Sequence, residues 1–351
     1  MKNFSYLFAA VILSLFVASS ALAGEPGQKK HLGIATYSVK GLESDIEGSF
    51  KALADDGYVV MEISNYDSKT GLVAGYKPAE YAALAKKQGL TIISSHARTK
   101  FDVKDETGTL AAWGKVFDDH KIMGCKYVVL PMNFWAGTVD GVKAECRLMD
   151  KIGDEAIKRG IKFGYHNHHI EFVTIPDTDL MYEDFLIANT NPDKVFFEMD
   201  VYWVTQGGKD PVTYLKEYPT RFKVLHIKDD YVVGESGKIN YGAIFKQFYK
   251  NGYADWFVEM EAKMNKEQQE QMKGMMDQMR NIQAQGGNMN DLMALMAKNQ
   301  PQAGKDPKPG QSAPPPGFGP QDPKVVAEQL KTSLEGIKQS AEFLIKSEFV
   351  K

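Results

Sequence analysis

Short apolar runs and longer amphipathic runs alternate along this chain from Leu32 to the C-terminus. The apolar runs are bounded by glycine or polar residues, a pattern typical of strands that are buried on both faces. The amphipathic runs repeat apolar residues at a spacing of three and four, which predicts helices that pack by one face. The last of them carries this face at Val326, Leu330, Leu334, Ile337, Ala341 and Leu344.

Eight strands are predicted in this way, and a helical run follows each of them. Strict alternation of strands and helices predicts an α/β protein with a parallel (β/α)8 TIM barrel. A doubly wound open sheet is the alternative, but no glycine-rich phosphate loop follows the first strand. The predicted strands are Leu32–Ser38, Tyr58–Ser64, Leu90–Ser95, Lys126–Pro131, Ile161–Tyr165, Lys194–Met199, Phe222–Ile227 and Trp256–Met260.

One segment, residues 262–323, interrupts the barrel pattern between strand 8 and helix 8. It has about sixty residues where a barrel needs only a short connection. Its first part is rich in Met and Gln and predicts helices, whereas Pro301–Pro323 reads as an extended linker. A helical hairpin that covers its own apolar face is one interpretation. A lid or partner-docking surface is the other, because loops after barrel strands lie over the active-site face.

The N-terminus predicts export. A basic Lys2, an apolar stretch too short to span a bilayer and an Ala-Leu-Ala ending predict a signal peptide at residues 1–23. The mature barrel would then occupy residues 24–351, in the periplasm or outside the cell, with no stable membrane insertion. Cys125 and Cys146 are the only cysteines, too few for a disulfide framework in an exported chain of this size.

Charge argues against a nucleic-acid partner. The chain has 42 basic and 45 acidic residues, a net charge of −3, and loss of Lys2 with the signal peptide makes it 41 − 45 = −4. A nucleic-acid ligand would want a basic face instead. The expected partner is therefore a small molecule, and a homo-oligomer is compatible with the pattern.

Polar residues follow the predicted strands at the end where a TIM barrel holds its chemistry. Each could alone be a capping or hydrogen-bonded structural residue. Together, several carboxylates converging on the barrel axis would repel one another, so a divalent cation is the natural counter-charge. Imidazole and oxygen ligands without thiolate suit Mn²⁺, Mg²⁺, Co²⁺ or Zn²⁺. The residues are Tyr37, Glu62, His96, Trp135, His166, His168, Glu171, Asp200, Trp203, His226, Lys228, Glu259 and Glu261.

Four motifs in this set resemble those of the sugar phosphate isomerase/epimerase family, which has a xylose isomerase-like barrel. They are His166-Asn167-His168-x-x-Glu171-Phe172, Met199-Asp200-Val201-Tyr202-Trp203, Leu225-His226-Ile227-Lys228-Asp229 and Val258-Glu259-Met260-Glu261. The resemblance implies one divalent metal held by a Glu, an Asp, a His and a Glu after strands five to eight.

This implied ligand set maps onto the chain at four places. Asp200 and His226 match directly, and Glu259 matches by its position, with Glu261 as the alternative. After strand five, His166 stands where many members carry Glu. We therefore expect Glu171 as the carboxylate ligand, with His166 or His168 contacting substrate or metal.

The chemistry that the resemblance implies is proton abstraction next to a sugar carbonyl, with a Lewis-acidic metal stabilising an enediolate. Glu259 and Glu171 are then the expected acid/base pair. His96 and Lys228 would polarise or orient sugar oxygens, and Trp203 and Trp135 would stack on a sugar face. Tyr37, Glu62, His166 and His168 complete the expected substrate contacts.

The same site could isomerise, epimerise or eliminate. Predicted export favours an unphosphorylated sugar or keto-sugar, and exported members resemble enzymes of 3-keto-glycoside breakdown. We therefore expect an isomerase/epimerase, with a lyase/hydratase of 3-keto-glycosides as the alternative. A non-catalytic carbohydrate-binding barrel is the alternative from another class, although pure sugar binding does not need a metal-ligand set.

Overall fold

A computed structural model describes residues 30–263, 266–287, 291 and 322–351. The predicted signal peptide and most of the predicted proline-rich linker lie outside these residues. Among the described residues, no helix is long and apolar enough to cross a membrane. Cys125 and Cys146 are both buried and unbridged.

Ten strands and ten helices make up the described chain. The strands are β1 Leu32–Ala35, β2 Tyr58–Ile63, β3 Tyr66–Asp67, β4 Leu72–Val73, β5 Thr91–Ser95, β6 Tyr127–Leu130, β7 Lys162–His166, β8 Val195–Asp200, β9 Phe222–Ile227 and β10 Asp255–Val258. The helices are α1 Ile46–Asp55, α2 Pro78–Lys87, α3 Glu106–Met123, α4 Val139–Ile157, α5 Tyr182–Asn189, α6 Val201–Gln206, α7 Pro211–Glu217, α8 Tyr241–Lys250, α9 Lys266–Ala284 and α10 Pro323–Lys346.

Eight of the strands form one parallel sheet in the order β5-β2-β1-β10-β9-β8-β7-β6. The two outer strands meet through a parallel bridge between His96 and Val129, and the Ala97 amide donates to the Val129 carbonyl at 2.9 Å. The sheet therefore closes on itself, and the predicted (β/α)8 TIM barrel is confirmed. In such a barrel, the carboxyl ends of all eight strands surround one opening.

The barrel interior is filled below the site by a layer of apolar side chains. These include Val60, Val129, Val224 and Phe257, all at most 5% exposed. Gly164 on β7 makes room for the ring of Phe196, because a Cβ there would lie 2.5 Å from that ring. Close packing of this layer gives the polar residues above it a rigid floor.

Helix ends follow the capping chemistry of the sequence. Asp105 caps α3 by accepting a hydrogen bond from the Gly108 amide at 2.9 Å, and Gly124 ends the helix with φ of 85°. Asp200 ends β8 and caps α6, since its Oδ1 accepts from the amides of Tyr202 and Trp203. The turn after β8 thereby fixes one carboxylate oxygen of a predicted site residue.

Three local features differ from the sequence-based pattern. The first strand stops at Ala35 and continues as a 3₁₀ turn, Thr36–Ser38. The hairpin β3–β4 and the short helix α6 were not predicted, because two-residue strands and single helical turns leave no periodic signal. Within the insertion, the first methionine group lies on a helix, α9, whereas the second, Met289 to Met296, lies almost entirely outside the described residues.

His120 on α3 offers a test of the core. The side chain is fully buried, with Nδ1 2.6 Å from the Val116 carbonyl and Nε2 2.8 Å from Ser95 Oγ. Burial lowers the pKa of His120 to about 4. This lowering relative to the unfolded chain corresponds to roughly 3 kcal/mol between the two protonation states.

Because the folded state disfavours the protonated ring, His120 should stabilise the fold fully above pH 6.5 and lose this contribution as the pH falls towards 4. We expect His120→Gln to lower the thermal midpoint at pH 7.5 but to narrow the gap to wild type at pH 5. The exposed His31→Gln serves as the control. Parallel midpoint curves for wild type and His120→Gln would contradict the assignment.

Candidate active site

Four carboxylates and three imidazoles meet inside the carboxyl-terminal opening of the barrel. They come from different strands: β2, β7, β8, β9 and the residues directly after β5 and β10. In a strand, alternate side chains share a face, so Glu198 and Asp200 both point to the interior. None of the seven is more than 8% exposed: Glu62, His96, His166, Glu198, Asp200, His226 and Glu259.

His166, Asp200, His226 and Glu259 form the upper group of this cluster, and their ligand atoms all lie within 4.8 Å of one another. His166 Nε2 is 3.9 Å from Asp200 Oδ2, and His226 Nδ1 is 3.0 Å from Glu259 Oε2. Ligands about 2.1 Å from a central ion are separated by roughly 3 to 4 Å. This spacing therefore fits one divalent ion.

One atom of the upper group, Asp200 Oδ2, has no hydrogen-bond partner among the described residues, whereas His226 Nδ1 lies 3.0 Å from Glu259 Oε2. Both side chains are fully buried. Leaving a buried polar atom without a partner is costly, so a bound ion or ligand is expected to contact it. The donor set of two imidazoles and two carboxylates suits the divalent metals named above.

His96, His166, Glu198 and His226 form a lower group that shares two imidazoles with the upper one. His226 Nε2 lies 2.7 Å from Glu62 Oε1, and His166 Nδ1 lies 3.1 Å from Glu198 Oε2. His96 and His226 outweigh the effect of burial and lower the pKa of Glu62, so this carboxylate accepts and His226 Nε2 carries the proton. Carboxylates that hold the second nitrogen of a ligating histidine are typical of metal sites. Glu198 and Glu62 thus orient His166 and His226, the two imidazoles of the upper group.

The electrostatics of Asp200 and His166 match this arrangement. Burial raises the pKa of Asp200 to about 7, a penalty that a bound cation would remove. Burial and the neighbouring imidazoles of His226 and His96 lower the pKa of His166 well below its usual range, so this ring is neutral. A neutral imidazole is the form that binds a metal.

Glu259 is held ionised. Burial alone would raise its pKa, but Lys228 and His226 outweigh that effect and keep the pKa well below its usual range. Lys228 Nζ lies 2.8 Å from Glu259 Oε1 and 2.7 Å from Glu261 Oε1. Lys228 is 1% exposed and lines neither of the two cavities at this end of the barrel. Its contacts make it a positioning residue for both carboxylates, rather than the sugar contact that the sequence predicts.

A cavity of about 450 Å³ opens directly above the cluster. Its wall includes His96, His166, His168, Glu259 and Glu261, all of them predicted from the sequence as site residues. Tyr37 also lines it and donates a hydrogen bond to Glu261 Oε2 at 2.9 Å. Glu62 lies below the cavity, against His226, Ser94 and His96.

Glu171 lies apart from both groups. One of its oxygens accepts from the Tyr165 hydroxyl and the other from the His168 amide at 2.7 Å. Burial raises the pKa of Glu171 to about 7. The predicted role of Glu171 as metal ligand and acid/base group is therefore not the one that this geometry favours. The 3₁₀ turn His169–Phe172 directs the Glu171 carboxylate towards Tyr165 and the His168 amide. His166, and not Glu171, is the residue from this segment that belongs to the upper group.

The two predicted tryptophans are placed differently. Trp203 lines a second cavity, described below, and Lys228 Nζ lies 4.8 Å from its ring centroid. Trp135 is 1% exposed and packs edge-on against Tyr165 at 4.9 Å, with no part in either cavity. Trp135 therefore belongs to the core behind the site rather than to a sugar-stacking surface.

Two functional residues were missed from the sequence. Glu198 interrupts the apolar strand Val195–Asp200 two positions before Asp200, and this charge inside a buried strand was the available signal. Arg98 lines the first cavity from the loop after β5. A single arginine in a loop carries no pattern that distinguishes it from a surface residue.

Comparisons with known proteins agree with the fold. The model of a protein family described as xylose isomerase-like TIM barrel matches residues 50–282. Inosose dehydratase from Lacticaseibacillus casei is 27% identical over 133 residues, which are 31% of this chain and 43% of that protein. Inosose dehydratase from Geobacillus kaustophilus (strain HTA426) is 24% identical over 204 residues, or 50% of this chain and 59% of that protein. The matches span less than two thirds of either relative.

Solved structures extend the similarity over the whole barrel. A sugar phosphate isomerase/epimerase from Parabacteroides distasonis ATCC 8503 has a TM-score of 0.69 at 26% identity, covering 95% of this chain and 100% of that one. A 3-keto-D-glucoside 4-epimerase from E. coli has a TM-score of 0.52 at 15% identity, covering 70% and 98%. At that identity the second likeness shows the fold alone.

The metal content of purified variants can distinguish the role of the upper group from that of the lower group. We expect Asp200→Asn and His226→Ala to lose the bound divalent ion, because each removes an upper-group ligand. His96→Ala, which touches only the lower group, should keep the metal and lower kcat. Elemental analysis of the purified proteins measures this directly. Equal metal loss in Asp200→Asn and His96→Ala would show that the groups are misassigned.

Glu171→Gln tests the residue on which sequence and structure differ. We expect this variant to retain the ion at wild-type stoichiometry, since the carboxylate is bonded to Tyr165 and the His168 amide instead. Its kcat should fall by about tenfold as the His168 loop loses its anchor. Loss of the ion from Glu171→Gln, with normal folding by circular dichroism, would restore Glu171 as a ligand.

Proposed function

Because this chain belongs to the xylose isomerase-like TIM barrel family, we propose that it is a divalent-metal-dependent enzyme that moves a proton beside the carbonyl of a sugar. The substrate would be an unphosphorylated sugar or keto-sugar, and the outcome isomerisation or epimerisation. One observation carries the proposal: an upper group of two imidazoles and two carboxylates, with Asp200 Oδ2 unpartnered among the described residues, lies beneath a cavity lined by titratable side chains. Pure binding would not require that set.

The ion would be held by His166, Asp200, His226 and Glu259. When bound, a divalent ion supplies Lewis acidity that polarises a carbonyl and stabilises the charge that develops on its oxygen. Glu62 and Glu198 orient the two imidazoles for this role. All these side chains are fixed by strands, so little reorganisation is needed during reaction.

Proton transfer falls to groups on two sides of the cavity. Glu259 follows β10 and is ionised, so it can accept a proton. His168 follows β7, and burial together with Lys228 lowers its pKa well below the usual range. A neutral imidazole can also accept a proton, and His168 Nδ1 has no partner among the described residues. Epimerisation requires one group that removes a proton and a second that returns one to the opposite face, so one of these two groups would have to carry a proton while the other is free to accept one.

The cavity chemistry favours a substrate without phosphate. Arg98 is its single Lys or Arg side chain, while Glu259 and Glu261 are both carboxylates in the same wall. Phosphate sites usually gather several cationic or backbone N–H donors. The predicted signal peptide supports the same substrate class, and we propose that the enzyme acts outside the cytoplasm.

A lyase or hydratase of 3-keto-glycosides is the second candidate, and His96 favours it. Burial would lower the pKa of His96, but Glu62 and Glu198 outweigh that effect and raise it. A protonated imidazole in the cavity wall can donate to a departing oxygen while Glu259 takes the neighbouring proton. The inosose dehydratases named above are relatives whose name denotes such an elimination.

Solvent exchange tests the proposal. We expect the metal-loaded protein in D₂O to introduce deuterium beside the carbonyl of at least one free sugar or 3-keto-glycoside, as read by product mass. Chelator treatment should abolish exchange and added Mn²⁺ should restore it. A product that has lost the expelled group would select the lyase, and a product with the substrate's composition plus the incorporated deuterium would select the isomerase or epimerase. Sugar binding by calorimetry without any exchange would support a non-catalytic barrel instead.

A further inference from the structure

A second cavity, of about 390 Å³, lies between α9 and the top of the barrel. One wall is the face of α9 formed by Met272, Met276 and Arg280, at a spacing of four residues. The opposite wall is α6, with Trp203 and Gln206. None of its residues belongs to the cluster beneath the first cavity, but one of them, Glu261, lines both cavities. The two spaces are therefore neighbours.

Specific contacts fix α9 in this position. The Gln283 amide donates to the Trp135 carbonyl at 3.2 Å, and Gln283 is fully buried. His169 Nε2 lies 3.0 Å from the Met276 carbonyl. Gly286 approaches Gly137 so closely that a Cβ on Gly137 would lie 2.5 Å from the Gly286 Cα. The cavity is thus a built space, and the helix is a wall of it.

The lining is aromatic and polar, with nearly balanced charge. Asp229, Asp230, Glu261 and Asp277 supply four carboxylates, against three cations from Lys238, Lys273 and Arg280. A lining with both signs in near balance suits a neutral ligand that offers hydroxyl donors and acceptors. Aromatic faces beside planar polar groups are well suited to bind such a ligand.

Two buried ring nitrogens in this lining lack a partner among the described residues. They are Trp203 Nε1 and His169 Nδ1, on side chains that are 4% and 7% exposed. Buried polar atoms are normally bonded, so each marks a position for a ligand group. Trp203 also connects the cavity to the cluster, because its amide donates to Asp200 Oδ1 at 3.0 Å.

We propose that this second cavity binds the sugar unit attached to the reacting keto-sugar, so that the natural substrate is a keto-disaccharide rather than a monosaccharide. The assignment rests on the proposed function for the identity of the reacting ring. The helix α9 completes the subsite, which explains why it is held over the barrel by buried contacts. The bond between the two units would lie near Glu261, the residue that both cavities share.

Two substitutions narrow the cavity from opposite walls in the full-length, metal-loaded protein: Met276→Trp on α9 and Gln206→Trp on α6. Glu270→Ala, an exposed position of α9 outside the lining, is the matched control. The substrates are methyl α- and β-glucosides, maltose and cellobiose, each oxidised to the 3-keto form. Phenyl 3-keto-glucoside serves as a substrate with an apolar second unit.

We expect each narrowing variant to lower kcat/KM for the keto-disaccharides at least tenfold more than for the methyl 3-keto-glucosides, mainly through KM. Glu270→Ala should keep the wild-type ratio. Equal effects on both substrate sizes in both narrowing variants would overturn the subsite while leaving the proposed function standing. An effect confined to the phenyl substrate would overturn the assignment to a sugar.

Calorimetry with unoxidised maltose and cellobiose gives a readout that does not need turnover. Disaccharide binding that is weakened at least tenfold in both narrowing variants would support the subsite. If, in addition, no keto-sugar reacts, the proposed function fails and the subsite stands. Unaltered disaccharide binding in the variants, or no binding to wild type together with an unaltered kcat/KM ratio, would overturn the subsite.

Discussion

The burial of four carboxylates at the centre of the barrel is the constraint on which the rest of the site depends. Glu62, Glu198, Asp200 and Glu259 are at most 4% exposed. Removing ionised carboxylates from water costs several kcal/mol each unless opposite charges and hydrogen bonds compensate. The neighbouring imidazoles and Lys228 provide part of that compensation. Asp200 Oδ2 has no such partner among the described residues, and a divalent ion beside it would compensate its charge.

This constraint explains the double use of several side chains. Asp200 gives one oxygen to the start of α6 and leaves the other directed to the upper group. His226 likewise presents Nε2 to Glu62 and Nδ1 to the upper group. In Asp200 and in His226, one polar atom is thus fixed by neighbouring residues, and the other faces the upper group. Such fixed polar groups give a site its shape before any substrate arrives.

The barrel and most of the cluster could be predicted from the sequence because each follows from a periodic or positional rule. Strand-ending residues such as Asp200 and His226 must converge once eight parallel strands close. Glu171 shows the limit of the rule, since a 3₁₀ turn after β7 rotates its carboxylate to Tyr165. No strand or helix period encodes that rotation. Trp135 was misjudged for a related reason, because a loop aromatic can face either the opening or the core.

The position of the insertion directly after β10 places it at the barrel opening. Glu259 and Glu261 follow the last strand, and α9 starts a few residues later. A segment at this point can cross the barrel opening without disturbing any strand that carries the cluster. Gln283 and Gly286 then attach α9 to the loop after β6 through Trp135 and Gly137. The fold thereby separates two parts: the strands fix the cluster, and the inserted helix α9 forms one wall of the space above it.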